Sequence, residues 1–274
     1  MNVFVFDIET VPDVNSGRRL YGDLEEMRQL SDKDVARVMY HHRQQQTGKE
    51  DSLLKHNMHK IVAISGVFRF KGSYKGQEKD TLEIISLGEE TASEAELVRQ
   101  FFSAINKYSF ASPQLTLASW NGGGFDLPVL HYRALLHGIN AQQYWKINYP
   151  YRYGKTHIDL MDILANYQMS AVAKLDDIAK MLGFPGKLGI DGSQVWETYL
   201  NNDITAIRHY CETDVLNTYL VYLRFELMRG HLNQTDYDQE CDRLRQTLKT
   251  GKKAHFNEFL TAWDKEQQDR ERLS

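Results

Sequence analysis

The sequence predicts an α/β fold in which a mixed five-stranded sheet is flanked by helices, with extra helices at the C-terminal end. Three observations point there. Short apolar runs with strand character recur at 3–6, 61–70, 82–87, 115–120 and 156–160. The second and third are joined by a glycine-bearing stretch, Lys71–Gln77, that suggests an antiparallel β-hairpin. The later runs alternate with helical segments, which suggests parallel crossovers. A chain of 274 residues with 42% hydrophobic content suits one large domain with a smaller helical appendage.

The elements follow in order. Val3–Phe6 is fully apolar and ends at Asp7-Ile8-Glu9, so it reads as a buried strand whose end carries acids. Residues 13–59 are polar and slightly basic, with Arg18, Arg19, Arg37, Arg43, His41, His42 and the run Gln44–Gln46. They read as an inserted helical or partly mobile segment. Ser93 with Glu96 three residues on reads as a capping-box start to a helix through Leu97–Ile105. Asn121-Gly122-Gly123-Gly124 breaks the fourth strand, and a helix runs from Asp126 to about His137. Residues 175–182, 195–200 and 204–228 read as helices, with Gly230 ending the last. Residues 235–270 read as two more, amphipathic helices. The expected organisation is one domain over 1–229, with 13–59 as its insertion, and a helical extension over 230–274.

Net charge is −4, so the strongly basic field of many nucleic-acid binders is absent. Two cysteines, Cys211 and Cys241, make no disulfide framework, and the chain reads as intracellular. No signal peptide and no window of about 18–20 apolar residues is visible, so the expectation is a cytoplasmic protein without membrane contact.

Three constellations carry chemistry. Asp7 and Glu9 are two apart on a strand, so both carboxylates point the same way. Adjacent acids on an apolar strand repel, and a cation is the usual remedy, but Asp-x-Glu is common and alone reads first as a solvated strand end. Asp126 follows three glycines that permit unusual torsions or close approach by a ligand; alone it reads as a helix cap. Tyr210 and Asp214 are four apart in a helix and share a face, the tyrosine being placed either to hold a water or simply to pack in the core.

The strings FDIET, WNGGGFDLPVL and YCETD resemble the three sequence blocks of the DEDD exonuclease superfamily, above all the proofreading exonuclease domain of family B DNA polymerases. The resemblance covers roughly residues 1–228. It implies a ribonuclease H-like fold and metal-dependent 3′→5′ hydrolysis that releases nucleoside 5′-monophosphates. It implies that Asp7, Glu9, Asp126 and Asp214 hold two divalent cations, Mg²⁺ or Mn²⁺, that Tyr210 orients the attacking water, and that Thr10, Asn121 and Phe125 touch the terminal nucleotide. An enzyme that grips only terminal nucleotides needs no global basic field. The superfamily has a Tyr-x3-Asp branch and a His-x4-Asp branch, and His209 precedes Tyr210, so both spacings are present. On a continuous helix Tyr210 lies about 40° from Asp214 and His209 about 140° away, which selects the tyrosine branch. The apolar stripe Ile204, Ile207, Cys211, Val215 supports continuity, and His209 then faces solvent or the substrate rim.

Asp159 reads as a helix cap or as an acid that orients a metal ligand, the cap being preferred. Asp176 and Asp177 read as solvated. His131, His137 and His157 have no metal-ligand spacing and read as packing or surface residues. Arg69, Lys71, Lys75 and Lys79 in the hairpin, and Lys249, Lys252 and Lys253 near the C-terminus, are candidates for gripping a nucleic-acid backbone. The expected substrate is DNA with single-stranded or frayed 3′ ends; RNA with the same chemistry and an inactive nucleic-acid-binding module are the alternatives. The chain outside the shared blocks is too short for a polymerase domain, so a stand-alone exonuclease or a subunit acting with replication or repair proteins is expected.

Overall fold

Strands β1 (Asn2–Pro12), β2 (His59–Tyr74), β3 (Gln77–Ser86), β4 (Thr116–Ser119) and β5 (His157–Asp159) form one sheet in the order β3-β2-β1-β4-β5. β1 pairs antiparallel with β2 and parallel with β4; β2–β3 is antiparallel and β4–β5 parallel. This is the mixed, ribonuclease H-like α/β sheet that the sequence predicts. The computed structural model describes residues 1–50, 53–74, 76–108, 114–147, 149–151 and 153–273.

β1 is central, and its apolar run is buried on both faces, as a strand covered on both sides must be. Its side chains alternate. Phe4, Phe6 and Ile8 pack into a core that includes Phe101 and Phe102 of α4 (Glu94–Tyr108) and Leu127 and Leu130 of α5 (Asp126–Leu136). Val3 and Val5 face the opposite core, which includes Val215 and Tyr219 of α10 (Ile204–Met228). Asp7 and Glu9 continue the odd-numbered face, so the period of two delivers both acids to the α10 side of the sheet.

The insertion is helical: α1 (Val14–Leu20), α2 (Leu24–Gln29), α3 (Asp32–Thr47) and a 3₁₀ turn at His56–Met58. Its own small core includes Val35, Met39, Leu54 and Met58. Ser93 Oγ accepts from the Glu96 N–H at 3.3 Å, so the expected helix start is present, but the Glu96 carboxylate receives the Gln100 amide. Two short helices flank β5 along the chain: α6 (Gln142–Lys146), which the sequence does not predict, and α7 (Leu160–Leu164), the helix that Asp159 is expected to cap. They are five residues long, too short to show a helical period. They are followed by α8 (Leu175–Met181) and α9 (Val195–Leu200).

The extension folds into α11 (Gln234–Gly251) and α12 (Ala254–Leu273), whose Leu244, Leu248, Phe259 and Trp263 enter the same core as Val3 and Val5. Arg69, a candidate for gripping nucleic acid, is instead fully buried. Its Nε and Nη2 donate to the Glu240 carboxylate at 2.6 Å each, and Nη1 reaches Asp80 at 2.6 Å, tying α11 to the hairpin. A guanidinium taken out of water needs such a fork of partners. Lys253 is likewise engaged, with Glu212 at 2.8 Å. Lys71, Lys79, Lys249 and Lys252 are exposed, and Lys75 lies outside the described residues. No helix among the described residues is long and apolar enough to cross a membrane.

Candidate active site

Three elements meet at the C-terminal end of β1. β1 supplies Asp7 and Glu9. α10 crosses that face and presents Tyr210, Cys211 and Asp214. The loop after β4 delivers Asp126, whose Oδ1 accepts from the Ile8 N–H at 3.2 Å. Asp126 is therefore not a helix cap; the capping position is Phe125, and the carboxylate reaches across to the strand.

Among the described residues, ligand atoms of Asp7, Glu9 and Cys211 lie within 4.8 Å of one another. Two ionised carboxylates at that range repel by roughly 3 kcal/mol at an effective dielectric of about 20. A hydrogen bond returns only about 1 kcal/mol net, so the pocket's own hydrogen bonds do not offset its charge. The titration shifts follow. Burial, then the charges of Asp126 and Asp214, raise Asp7 well above the usual carboxylate range. Burial, then Asp7, Asp214 and Asp126, do the same to Glu9. Burial lifts Asp126 to about 7 and Asp214 to about 6. Asp214 Oδ1 is buried with no hydrogen-bond partner. The four acids thus converge, each perturbed by burial and like charge.

Tyr210 is 5% exposed, and burial, then Asp214, Glu9 and Asp7, raise its hydroxyl far above the ordinary phenol value, so it stays protonated. His209 turns the other way and stacks on His255 with ring centroids 3.8 Å apart. The helix is continuous through this point, so the angular argument for Tyr210 facing the acids holds.

The glycine loop differs from expectation in its physics. The residue with positive φ is Asn121, at 63°, not a glycine of the run. Gly122 and Gly124 are required by space: a Cβ on Gly122 would collide with the Ser119 side chain, and one on Gly124 with the Asn121 amide. Asp159 caps α7, as preferred, through the Asp162 N–H at 3.4 Å. It also receives the N–H groups of Asn121 at 2.9 Å and Gly123 at 2.8 Å, so one carboxylate holds the loop that carries Asp126. Phe125 is half-buried against His56 and His59, and Thr10 Oγ1 lies 2.9 Å from His59 Nδ1. His131, His137 and His157 bond to Tyr144, Glu94 and Ser119 in packing roles.

Several residues at the site were not singled out from sequence. Cys211 stands out in sequence only in the cysteine count and in an apolar stripe; its thiol donates to the Asp7 carbonyl at 3.4 Å. Burial, then Asp7 and Glu9, raise it well above its usual range, so it is a neutral donor. Lys187 is a cation close to the acids. Partial burial lowers its pKa, but the bond to Asp191 and the fields of Asp191, Asp214 and Asp176 prevail and raise it. Asn217, one turn beyond Asp214, accepts from the Gly186 N–H at 3.0 Å and donates to its carbonyl at 2.7 Å, pinning the loop that carries Lys187. Asp176, expected to be solvated, accepts from the Lys187 N–H at 2.7 Å and holds the same loop. Glycine-flanked polar residues in FPGKLGIDG were the only sequence signal for that loop.

Comparison with known proteins agrees with the geometry. A family described as "Predicted 3'-5' exonuclease related to the exonuclease domain of PolB" matches residues 51–263. The DNA polymerase of Methanocaldococcus jannaschii is 25% identical over 181 residues, covering 61% of this chain and 10% of the polymerase. The DNA polymerase of Archaeoglobus fulgidus is 23% identical over 159 residues, covering 53% of this chain and 20% of the polymerase. The chain therefore spans a tenth to a fifth of these curated relatives. Among solved structures, the family B DNA polymerase of the hyperthermophilic archaeon Pyrobaculum calidifontis aligns over 90% of this chain and 28% of its own, with 17% identity and a TM-score of 0.48. The family match extends over well more than half of the residues, so the chain belongs to the family of predicted 3′–5′ exonucleases related to the exonuclease domain of PolB.

Proposed function

We propose that this chain is a divalent-metal-dependent 3′→5′ exonuclease that hydrolyses the terminal phosphodiester of DNA, at single-stranded or frayed 3′ ends, and releases nucleoside 5′-monophosphates. The observation that carries the reading is the convergence of Asp7, Glu9, Asp126 and Asp214 in a half-buried pocket with an orphaned Asp214 oxygen. That donor set fits a divalent cation. It offers carboxylate oxygens, which suit hard ions such as Mg²⁺ or Mn²⁺, and the neighbouring thiol is neutral and already donates to Asp7. The four acids would hold the cations, two of them in this reading. When bound, they supply Lewis acidity and neutralise charge at the scissile phosphate.

The chain's own residues do the rest. Tyr210 keeps its proton and donates a hydrogen bond to the attacking water, fixing its direction. Asp159 holds the 121–124 loop so that Asp126 reaches the β1 end. Thr10, Asn121 and Phe125 contact the terminal nucleotide, with Phe125 against the base. Residues 1–229 form the catalytic unit and 230–274 its extension. DNA is favoured over RNA because the curated relatives are DNA polymerases. Incubation of 5′-labelled DNA and RNA oligomers with Mn²⁺ tests the proposal. A DNA ladder shortening from the 3′ end is expected, and an intact DNA band with a degraded RNA band would assign the ribonuclease chemistry instead.

A further inference from the structure

The junction between the helical insertion and β2 brings two histidines to the rim of the cleft. His56 Nε2 lies 2.9 Å from the Gly124 carbonyl, so it donates to the loop that carries Asp126. His59 Nε2 lies 3.3 Å from the Leu54 carbonyl. A carbonyl only accepts, so His59 carries a proton on Nε2. Burial is the largest influence on this ring and holds its pKa down at about 4, so the ring is neutral and Nδ1 offers only a lone pair. Thr10 Oγ1 stands 2.9 Å from Nδ1, so the hydroxyl proton is committed to the ring. The His59 and Phe125 rings meet edge to face, with centroids 5.1 Å apart and planes at 86°, which fixes the orientation of His59. Thr10 follows Glu9 at a β-bulge in β1 and is half-buried. Its oxygen therefore presents lone pairs, and no proton, to whatever enters beside Glu9.

We propose that His59 is a positioning residue that makes Thr10 an acceptor-only contact, so that the terminal nucleotide is held there through a hydrogen-bond donor, either a sugar hydroxyl or a base amino group. A phosphate oxygen at that point would face lone pairs with lone pairs and is excluded. The insertion thereby gains a role: it ends in the two histidines that set the nucleotide-facing wall. The inference rests on the cleft being an exonuclease site.

The test uses the full chain and fluorescein-labelled DNA oligomers ending in deoxyadenosine, in 2′,3′-dideoxyadenosine, which lacks the hydroxyl, or in deoxynebularine, which lacks the amino group. Affinity is read by fluorescence anisotropy with Ca²⁺ in place of Mg²⁺ or Mn²⁺, and folding by circular dichroism. Wild type should bind one of the two altered ends about tenfold more weakly than the natural end, which also identifies the donor. That preference should fall below twofold in Thr10→Val and in His59→Phe, and the double variant should bind no more weakly than either single one. His59→Asn, whose amide oxygen can still accept from Thr10, should keep most of the preference. Equal binding of all three ends by wild type, an undiminished preference in folded His59→Phe, or additive losses in the double variant would overturn the proposal. Wild type that cleaves with Mn²⁺ but does not discriminate sinks this inference alone; wild type that discriminates but never cleaves sinks the exonuclease reading alone.

Discussion

Asp214 and Glu212 lie two residues apart on α10, and the protein treats these two acids in opposite ways. Two residues turn a helix by about 200°, so they face different surroundings. Glu212 is 2% exposed and receives the Ser86 hydroxyl at 2.6 Å, the Lys253 ammonium at 2.8 and 2.9 Å and His255 Nε2 at 2.6 Å. Burial alone would raise its pKa; the hydrogen bonds from His255, Lys253 and Ser86 prevail and bring it down to about 2. Asp214 meets burial with only the Tyr210 hydroxyl and the field of Lys187 to oppose it, sits at about 6, and leaves Oδ1 unpaired. Burial of a carboxylate is thus not the mark of a site. The mark is a carboxylate with an unpaired buried oxygen, beside other acids whose titration is raised by burial and like charge. Glu212 clamps the start of α12 to the sheet; in the proposed reading Asp214 holds a cation.

That contrast can be broken most directly by removing charge. Asp7→Ala and Asp214→Asn should each lower exonuclease turnover by about a thousandfold or more, since a cation's share of transition-state stabilisation is several kcal/mol. Glu212→Gln should stay within about fivefold. Retained turnover in Asp7→Ala would show that the pocket is misassigned. EDTA should silence wild type and Mn²⁺ restore it. Mn²⁺ should also raise the melting temperature of wild type but not of Asp214→Asn, because an ion that binds only the folded pocket stabilises it; cleavage in EDTA refutes the metal reading.

A smaller effect sharpens the comparison along the helix. Tyr210→Phe should cost about ten- to a hundredfold in kcat, and His209→Ala less than about threefold, because His209 packs on His255 away from the acids. The reverse ranking would move the chain to the histidine branch. Stability should separate the two regions as well. Glu212→Ala should lower unfolding free energy by about 3 kcal/mol, the cost of breaking a buried pair, whereas Asp214→Asn should leave the metal-free protein as stable or more so. Chemical denaturation in EDTA reads both.

The smallest expected effect is the pH dependence of the metal-free protein, and its sign differs between the regions. Asp126 and Asp214 have raised folded-state values, about 7 and about 6. Between those values and the ordinary value near 4, the folded state binds protons that the unfolded state does not, so the cleft's contribution falls as pH rises from about 4 to about 7. Glu212 has a lowered value, so its contribution is present above about 4.5 and is lost as pH falls through about 2. Metal-free melting temperatures that rise steadily from pH 4 to 7 would contradict the cleft's assignment as a cluster of raised acids.

The sequence by itself determined the parts of this protein that depend on local periodicity. Alternation along β1 sets Asp7 and Glu9 on one face, and the 3.6-residue period of α10 sets Tyr210 with Asp214 and turns His209 away. Val195–Leu200 and Ile204–Met228 emerge from the same periodicity with the bounds the structure has. Turn chemistry was legible too, in the hairpin and in the start of α4. What periodicity does not reach is which distant side chain completes a partner's bonds. Only the tertiary structure decided that Asp126 reaches the Ile8 N–H instead of capping its helix, and that Asp159 holds the glycine loop. It also decided that Arg69 is buried on Glu240, 171 residues away, and that His59 takes the Thr10 proton. The physical reason is the same throughout. An element's pattern follows from neighbours a few residues apart, whereas a buried polar group is satisfied by whichever group the fold brings within hydrogen-bond distance.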